Sequence, residues 1–204
     1  MRLAPLILPA LAVLSALFLQ PSAQAKEDGE TEKEVSAESP DGKFAFLKIW
    51  EPTSRTCDLI EKASGKVLLR AAESEEDSNR LSTEMLWRPD SQFVALMIST
   101  TRRSAWVAVF AKQGATFREI KLPDMPEAEI PKKSHKPGMD HIVEIDWSSP
   151  SKWRKDGSLE VTTSTTIDGA GSVTATRTTV LAFDKKGRAR IVRTSQEVEE
   201  NKEE

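Results

Sequence analysis

Two histidines and three nearby acids are the side chains of this sequence best suited to hold a metal ion. They fall in the segment SHKPGMDHIVEID and are His135, Asp140, His141, Glu144 and Asp146. Zinc is bound by imidazole and carboxylate groups, but usually at short, regular ligand spacings that this segment lacks. We therefore interpret the segment as a solvated loop and predict no metal and no other cofactor.

The nucleophiles of the chain give no catalytic pattern. Cys57 is the only cysteine, and the sequence has no G-x-S-x-G elbow, since GAGSV at 169–173 is typical of a hairpin turn. Cys57 alternates with polar neighbours in TCDLI, so we expect an inert, buried thiol, with an intermolecular disulfide as the alternative. We predict no catalytic residue and a non-enzymatic protein. A hydrolase with no recognisable motif is retained as an alternative.

A proline-rich stretch, 123–140, also carries a basic island, KKSHK at 132–136. Its four prolines oppose regular strand or helix. The island is suited to an anionic surface, although we expect it to be solvated loop. Long loops in compact domains are often functional. This stretch therefore suggests an alternative function, a small secreted inhibitor that inserts loop 123–140 into a target.

The elements that would position these residues begin after an export signal. Arg2 is followed by an apolar run to Leu19 and by PSAQA, a small-residue cleavage site, so residues 1–25 are predicted to be a signal peptide. Loss of Arg2 reduces the 29 basic residues to 28 against 32 acids, a net charge of −4. We expect a periplasmic or extracellular protein, with no transmembrane helix after cleavage and no nucleic-acid partner.

Both ends of the mature chain are charged and poor in apolar residues. We predict disorder for residues 26–38 and for the acidic tail 196–204, because neither buries enough apolar surface to offset the entropy of ordering.

Between the two ends, short runs of β-forming residues alternate with turn residues, and no sustained helical period occurs. We predict strands at 43–50, 56–61, 66–71, 81–87, 92–100, 104–111, 115–121, 141–147, 158–167, 173–184 and 188–195. Short connections favour antiparallel pairing. Two runs, KFAFLKIW and QFVALMI, are apolar on both faces and should be covered on both sides. SLEVTTSTTI alternates instead and predicts one wet face.

One phrase occurs twice. SPDGKFAFL begins at Ser39 and RPDSQFVAL at Arg88, each a type I turn followed by a doubly apolar strand. A weaker copy, WSSPSKWRKDGSLEV, begins at Trp147. The phrase W-x-P-D-(G/S) followed by apolar residues resembles the repeat of TolB-type β-propellers, in which it is a structural turn. The resemblance implies four-stranded meanders and no catalytic residue.

A closed propeller needs about four blades, and this chain has material for about three. We therefore predict an all-β fold, an incomplete propeller-like stack of about three four-stranded antiparallel units, with a β-sandwich as the alternative. Units 1 and 2 would occupy 39–122, the proline-rich loop 123–140, and a third unit 141–195.

The aromatic residues give the last clue to binding. Tyrosine is absent, so a contact surface would depend on tryptophan. We expect Trp50, Trp87, Trp106 and Trp147 to pack in or around the core, and Trp153, between charged residues, to be exposed. The threonine-rich hairpin 162–179 is a second candidate surface. The leading hypothesis is an exported module that binds or supports an unidentified protein or envelope component.

Overall fold

The computed structural model describes residues 30–74, 80–135, 137, 144–167, 172–184 and 187–200. The described chain is all-β, with one short 3-10 helix at Lys132–Ser134. The strands are β1 (Glu32–Ser36), β2 (Phe44–Trp50), β3 (Arg55–Glu61), β4 (Val67–Glu73), β5 (Ser82–Trp87), β6 (Phe93–Ser99), β7 (Ser104–Gln113), β8 (Thr116–Ile120), β9 (Glu144–Trp153), β10 (Leu159–Ile167), β11 (Val173–Phe183) and β12 (Ala189–Glu200). All eleven runs predicted from the sequence overlap strands, and residues 141–143 of the run 141–147 lie outside the described residues.

The strands form three antiparallel meanders of four. The first meander, β1–β4, is a separate sheet in sequential order. The second, β5–β8, and the third, β9–β12, share a longer sheet with β5 and β12 at its two edges. The predicted all-β fold of antiparallel units is thus confirmed.

A short parallel pairing joins the second and third meanders. Ser104 pairs with Asp146 and Ala105 with Trp147, at the start of β7, whereas β8 pairs with the far end of β7. Parallel neighbours require a long connection, and here β8 together with the proline-rich loop supplies it.

Strand β6 shows why a doubly apolar strand needs neighbours on both sides. Val94, Leu96 and Ile98 point into a core shared with the first meander. Ala95, on the opposite face, belongs to a second core that includes Leu159 of the third meander. All four side chains are buried. The second meander is therefore the middle layer of three, and its central strands are covered on each face as the sequence predicts.

Both chain ends are more ordered than their composition predicts. Residues 32–36, which we predicted to be disordered, form β1. This strand pairs with β2 along its whole length, from Glu32 opposite Trp50 to Ser36 opposite Phe46. Residues 196–200, placed in the acidic tail, belong to β12. Both predictions are wrong for these residues because backbone pairing with a neighbouring strand orders them without apolar burial: their side chains are mostly exposed.

The predicted signal peptide, residues 1–25, lies outside the described part of the chain. Within the described ranges the structure contains no helix of the length and apolarity that crossing a bilayer demands.

Candidate ligand clefts at the turn end

Three equivalent turns connect the first and second strands of the meanders. They span Ser39–Gly42, Arg88–Ser91 and Arg154–Gly157, and in each the last N–H donates to the first carbonyl at 2.8–3.0 Å. The aspartate at the third position, such as Asp41, accepts a further bond from the N–H two residues on. The final residue has positive φ in all three turns. The three turns therefore share one backbone geometry.

A tryptophan before the turn attaches each meander to the one before it. The indole N–H of Trp87 donates to the carbonyl of Ala37 at 2.7 Å, and that of Trp153 donates to the carbonyl of Leu86 at 2.9 Å. Both acceptors lie two residues before the turn of the preceding meander. In the first meander the residue directly before the turn is Glu38 instead of tryptophan. The indole contact therefore occurs at two interfaces, between the first and second meanders and between the second and third.

The interpretation of Trp153 as an exposed aromatic is therefore wrong. Its ring packs on Phe93 and Phe183 at centroid distances of 6.0 and 5.7 Å. Trp153, not Trp147, is the counterpart of Trp87. The sequence carries a signal for this equivalence: Trp87 and Trp153 each directly precede an arginine and a D-(S/G) turn. Trp106, which we expected to be packed, is 45% exposed.

A first cavity lies between the first and second meanders, beside the first turn. It has a volume of about 620 Å³, and its walls are Gly42, Lys43, Phe44, Glu61, Lys62, Ala63, Lys112, Gly114 and Ala115. Lys43 and Lys62 are held together because the N–H of Lys62 donates to the carbonyl of Lys43 at 2.8 Å. Lys112 enters from β7, with its ammonium 4.8 Å from the centre of the Phe44 ring. Three lysines and one acid thus surround an aromatic wall.

A second cavity occupies the corresponding place between the second and third meanders. Its volume is about 530 Å³, and its walls are Arg88, Gln92, Phe93, Ala111, Lys112, Gln113, Phe183, Asp184 and Gly187. The guanidinium of Arg88 lies 3.8 Å from the centre of the Phe93 ring. Lys112 is common to both cavities, because β7 lies in the middle layer.

The cations of the two cavities differ in how firmly they are paired. Arg88 makes two bonds to the carboxylate of Asp90, at 2.8 and 2.7 Å, and these hold the pKa of Asp90 below its ordinary value. Lys62 contacts Glu38 at 2.6 Å, but both side chains are about half exposed and the pair is weak in water. Among the described residues no acid lies within salt-bridge distance of Lys112. Lys112 is therefore available to an anionic ligand.

Cys57 lies in the core between the first and second meanders and is fully buried. Burial raises the pKa of its thiol to about 11, although a weak bond from the Thr83 hydroxyl acts in the opposite direction. The neutral thiol has no access to a partner chain, so the predicted inert thiol is what the structure places here.

The described part of the proline-rich loop packs on the third meander. Ile130 contacts the buried pair Ile167 and Val173, and the backbone of Glu129 exchanges two hydrogen bonds with the side chain of Gln196, at 3.1 and 2.9 Å. Ala128 is buried. The described part of the loop is therefore attached along residues 128–130.

A shallow groove of about 520 Å³ runs between this loop and the third meander, with His135 and Asp146 in its walls. Asp146 accepts a hydrogen bond from Thr165 at 3.0 Å. Asp140 and His141 lie outside the described residues, as does the side chain of Glu144. No group of three potential metal ligands occurs in the described ranges.

The threonine-rich hairpin does form a hydroxyl-lined face, on β10 and β11. Thr162 pairs with Thr178, Ser164 with Thr176 and Thr166 with Thr174. All six side chains are half-buried rather than fully wet. Nearby, Glu160 is held by Arg154 and Lys152. This face presents hydroxyl groups, and none of the cavities described for residues outside the gap at 168–171 is lined by these six side chains.

A scan against protein-family models finds no match for this sequence, and a search of curated proteins finds no significant relative.

Proposed function

We propose that this protein is an exported, non-enzymatic binding module of the bacterial envelope or exterior, and that it holds an anionic ligand in the first cavity. The observation that carries the proposal is the convergence of Lys43, Lys62 and Lys112 on one cavity walled by Phe44. Pockets that bind small ligands combine apolar walls with a few convergent polar groups. Export is supported by the signal-like residues 1–25.

The charge of the cavity contrasts with that of the whole chain. The protein has a formal net charge of −3, yet three of the four ionisable groups lining this cavity are cationic. A local positive field on an acidic protein favours association with anions and steers them to one place. The attachment of loop 128–130 to the third meander is a reason to prefer this function over an inhibitor acting through that loop.

Calorimetric titration with galacturonate, a sugar acid, against galactose, its neutral counterpart, tests the proposal. We expect galacturonate to bind and galactose not to bind. Lys112→Gln should weaken galacturonate binding about tenfold, as expected for loss of one charge-assisted hydrogen bond. Lys66→Ala, at an exposed lysine outside the cavity, is the matched control and should bind normally. Equal binding of the two sugars, or full binding by Lys112→Gln, would refute an anion site here.

A further inference from the structure

The first two cavities are part of a longer series. A third cavity, of about 410 Å³, is lined by Gln113, Glu119, Ile120, Lys121, Leu122, Pro123, Gly187, Arg188 and Ala189. Lys112 lines the first and second cavities, and Gln113 and Gly187 line the second and third. Shared wall residues place the three cavities next to one another, in a series from the first meander, across the second, to the third, which we call the track.

The ionisable side chains along this track are mostly cationic. The cations are Lys43, Lys62, Arg88, Lys112, Lys121 and Arg188, and the acids are Glu61, Glu119 and Asp184. Arg88 and Arg188 are already bound by aspartates. Lys112 and Lys121 have no acid within salt-bridge distance among the described residues, and they lie in different cavities. The track thus offers available cations at separate points along its length.

We infer that the track binds a linear anionic polysaccharide, whose charged groups meet Lys112 in the first two cavities and Lys121 in the third. This inference rests on the proposed function of the first cavity and extends it. An open series of adjoining cavities suits an extended chain better than a single compact ligand. Gln92 and Gln113, in the walls of the second cavity, supply the amide groups that hydrogen-bond to sugar hydroxyls.

The aromatic rings of the track favour a polysaccharide over a single-stranded nucleic acid. Proteins that bind single strands stack successive bases on accessible aromatic faces. Here Phe44 is only 6% exposed, and Arg88 covers the face of Phe93. The rings of Phe44 and Phe93 therefore offer no stacking platform for bases, whereas hydrogen bonds from lysine and amide groups to a sugar need no such platform.

Oligogalacturonates of two, four and eight sugars, titrated against the full mature chain, test the track. We expect affinity to rise at least tenfold from two to eight sugars, because each further contact forms at high effective concentration. Lys121→Ala should remove much of the gain in affinity from two to eight sugars, whereas Lys112→Gln should weaken binding at every length. Lys133→Ala, an exposed lysine outside the three cavities, is the matched control.

The outcomes separate the two proposals. Affinity that depends on Lys112 but not on oligomer length would overturn the track and leave the anion site in the first cavity intact. Absence of binding at every length, with galacturonate included, would refute both. Tighter binding of an oligothymidylate of equal charge than of the octasaccharide would overturn the assignment to polysaccharide.

Discussion

The two interfaces between meanders use the same contact but are filled differently. In the first, the ring of Trp87 lies 5.8–6.4 Å from three phenylalanines, on β2 and β8. In the second, Trp153 meets two phenylalanines and the guanidinium of Arg88. The strand pairing of β7 with β9 also supports the second interface. The two interfaces thus share the tryptophan contact before the turn and differ in the side chains that pack around it.

The largest expected effect comes from removing the two tryptophans. Trp87→Ala should lower the free energy of unfolding by about 3–5 kcal/mol, the usual cost of deleting a large packed aromatic. Trp153→Ala should lower the free energy of unfolding by less, because fewer rings contact Trp153 and the pairing of β7 with β9 remains. Chemical denaturation of both variants measures the difference. Trp106→Ala, at the exposed tryptophan, should cost under about 1 kcal/mol. An equal loss for Trp87 and Trp153 would remove the proposed asymmetry.

The reactivity of Cys57 measures the opening of the first interface alone, because Cys57 belongs to the core between the first and second meanders. Its thiol is fully buried with a pKa of about 11, so at pH 8 about a thousandth would be thiolate. We expect iodoacetamide labelling of the native protein to be very slow. Trp87→Ala should speed labelling at least about tenfold more than Trp153→Ala does, with mass spectrometry as the readout. Rapid labelling of the wild type would mean that Cys57 is not sealed in the interface.

Ser91 connects the first two turns and has the next largest predicted effect. Its hydroxyl accepts a bond from the N–H of Asp41 at 3.0 Å, and its own φ is +59°. Ser91→Ala removes the bond and keeps the unfavourable backbone, so it should destabilise by about 1–2 kcal/mol. Ser91→Gly also removes the bond but relieves the backbone, and thermal unfolding should place it between Ser91→Ala and the wild type. The opposite order would contradict the contact between turns.

Replacing Asp90, in the turn beside the second cavity, should have the smallest effect on stability, and the size of that effect should depend on pH. Bonds from Arg88 lower the pKa of Asp90 in the folded protein below its ordinary value of 3.8. A lowered folded pKa stabilises at pH values above the unfolded pKa, and this contribution disappears as pH falls through the folded value. Asp90→Asn should therefore lower Tm by about 2–4 °C at pH 7. The difference should shrink below pH 3.8; a constant difference down to pH 2 would exclude the ion pair as its cause.

The sequence predicts the layers better than it predicts the cavities. The two doubly apolar runs and the Pro-Asp turns are local patterns, and they identify β2 and β6 correctly. Strand β1 has no such pattern: EKEVS is ordered by backbone pairing with β2, which composition does not encode. The cationic cavity was also missed, because Lys43, Lys62 and Lys112 come from separate strands and meet only through the packing of two meanders. Trp153 was misassigned because its charged neighbours obscured its place before a turn.

Amide chemical shifts during a galacturonate titration test the central claim most directly. We expect the backbone resonances of Lys43, Phe44, Lys62 and Lys112 to move together with one saturating curve in ¹H–¹⁵N spectra, while those of the groove at Lys132–His135 stay in place. Shifts confined to the groove beneath the proline-rich loop, or the absence of any shift at the first cavity, would contradict the account.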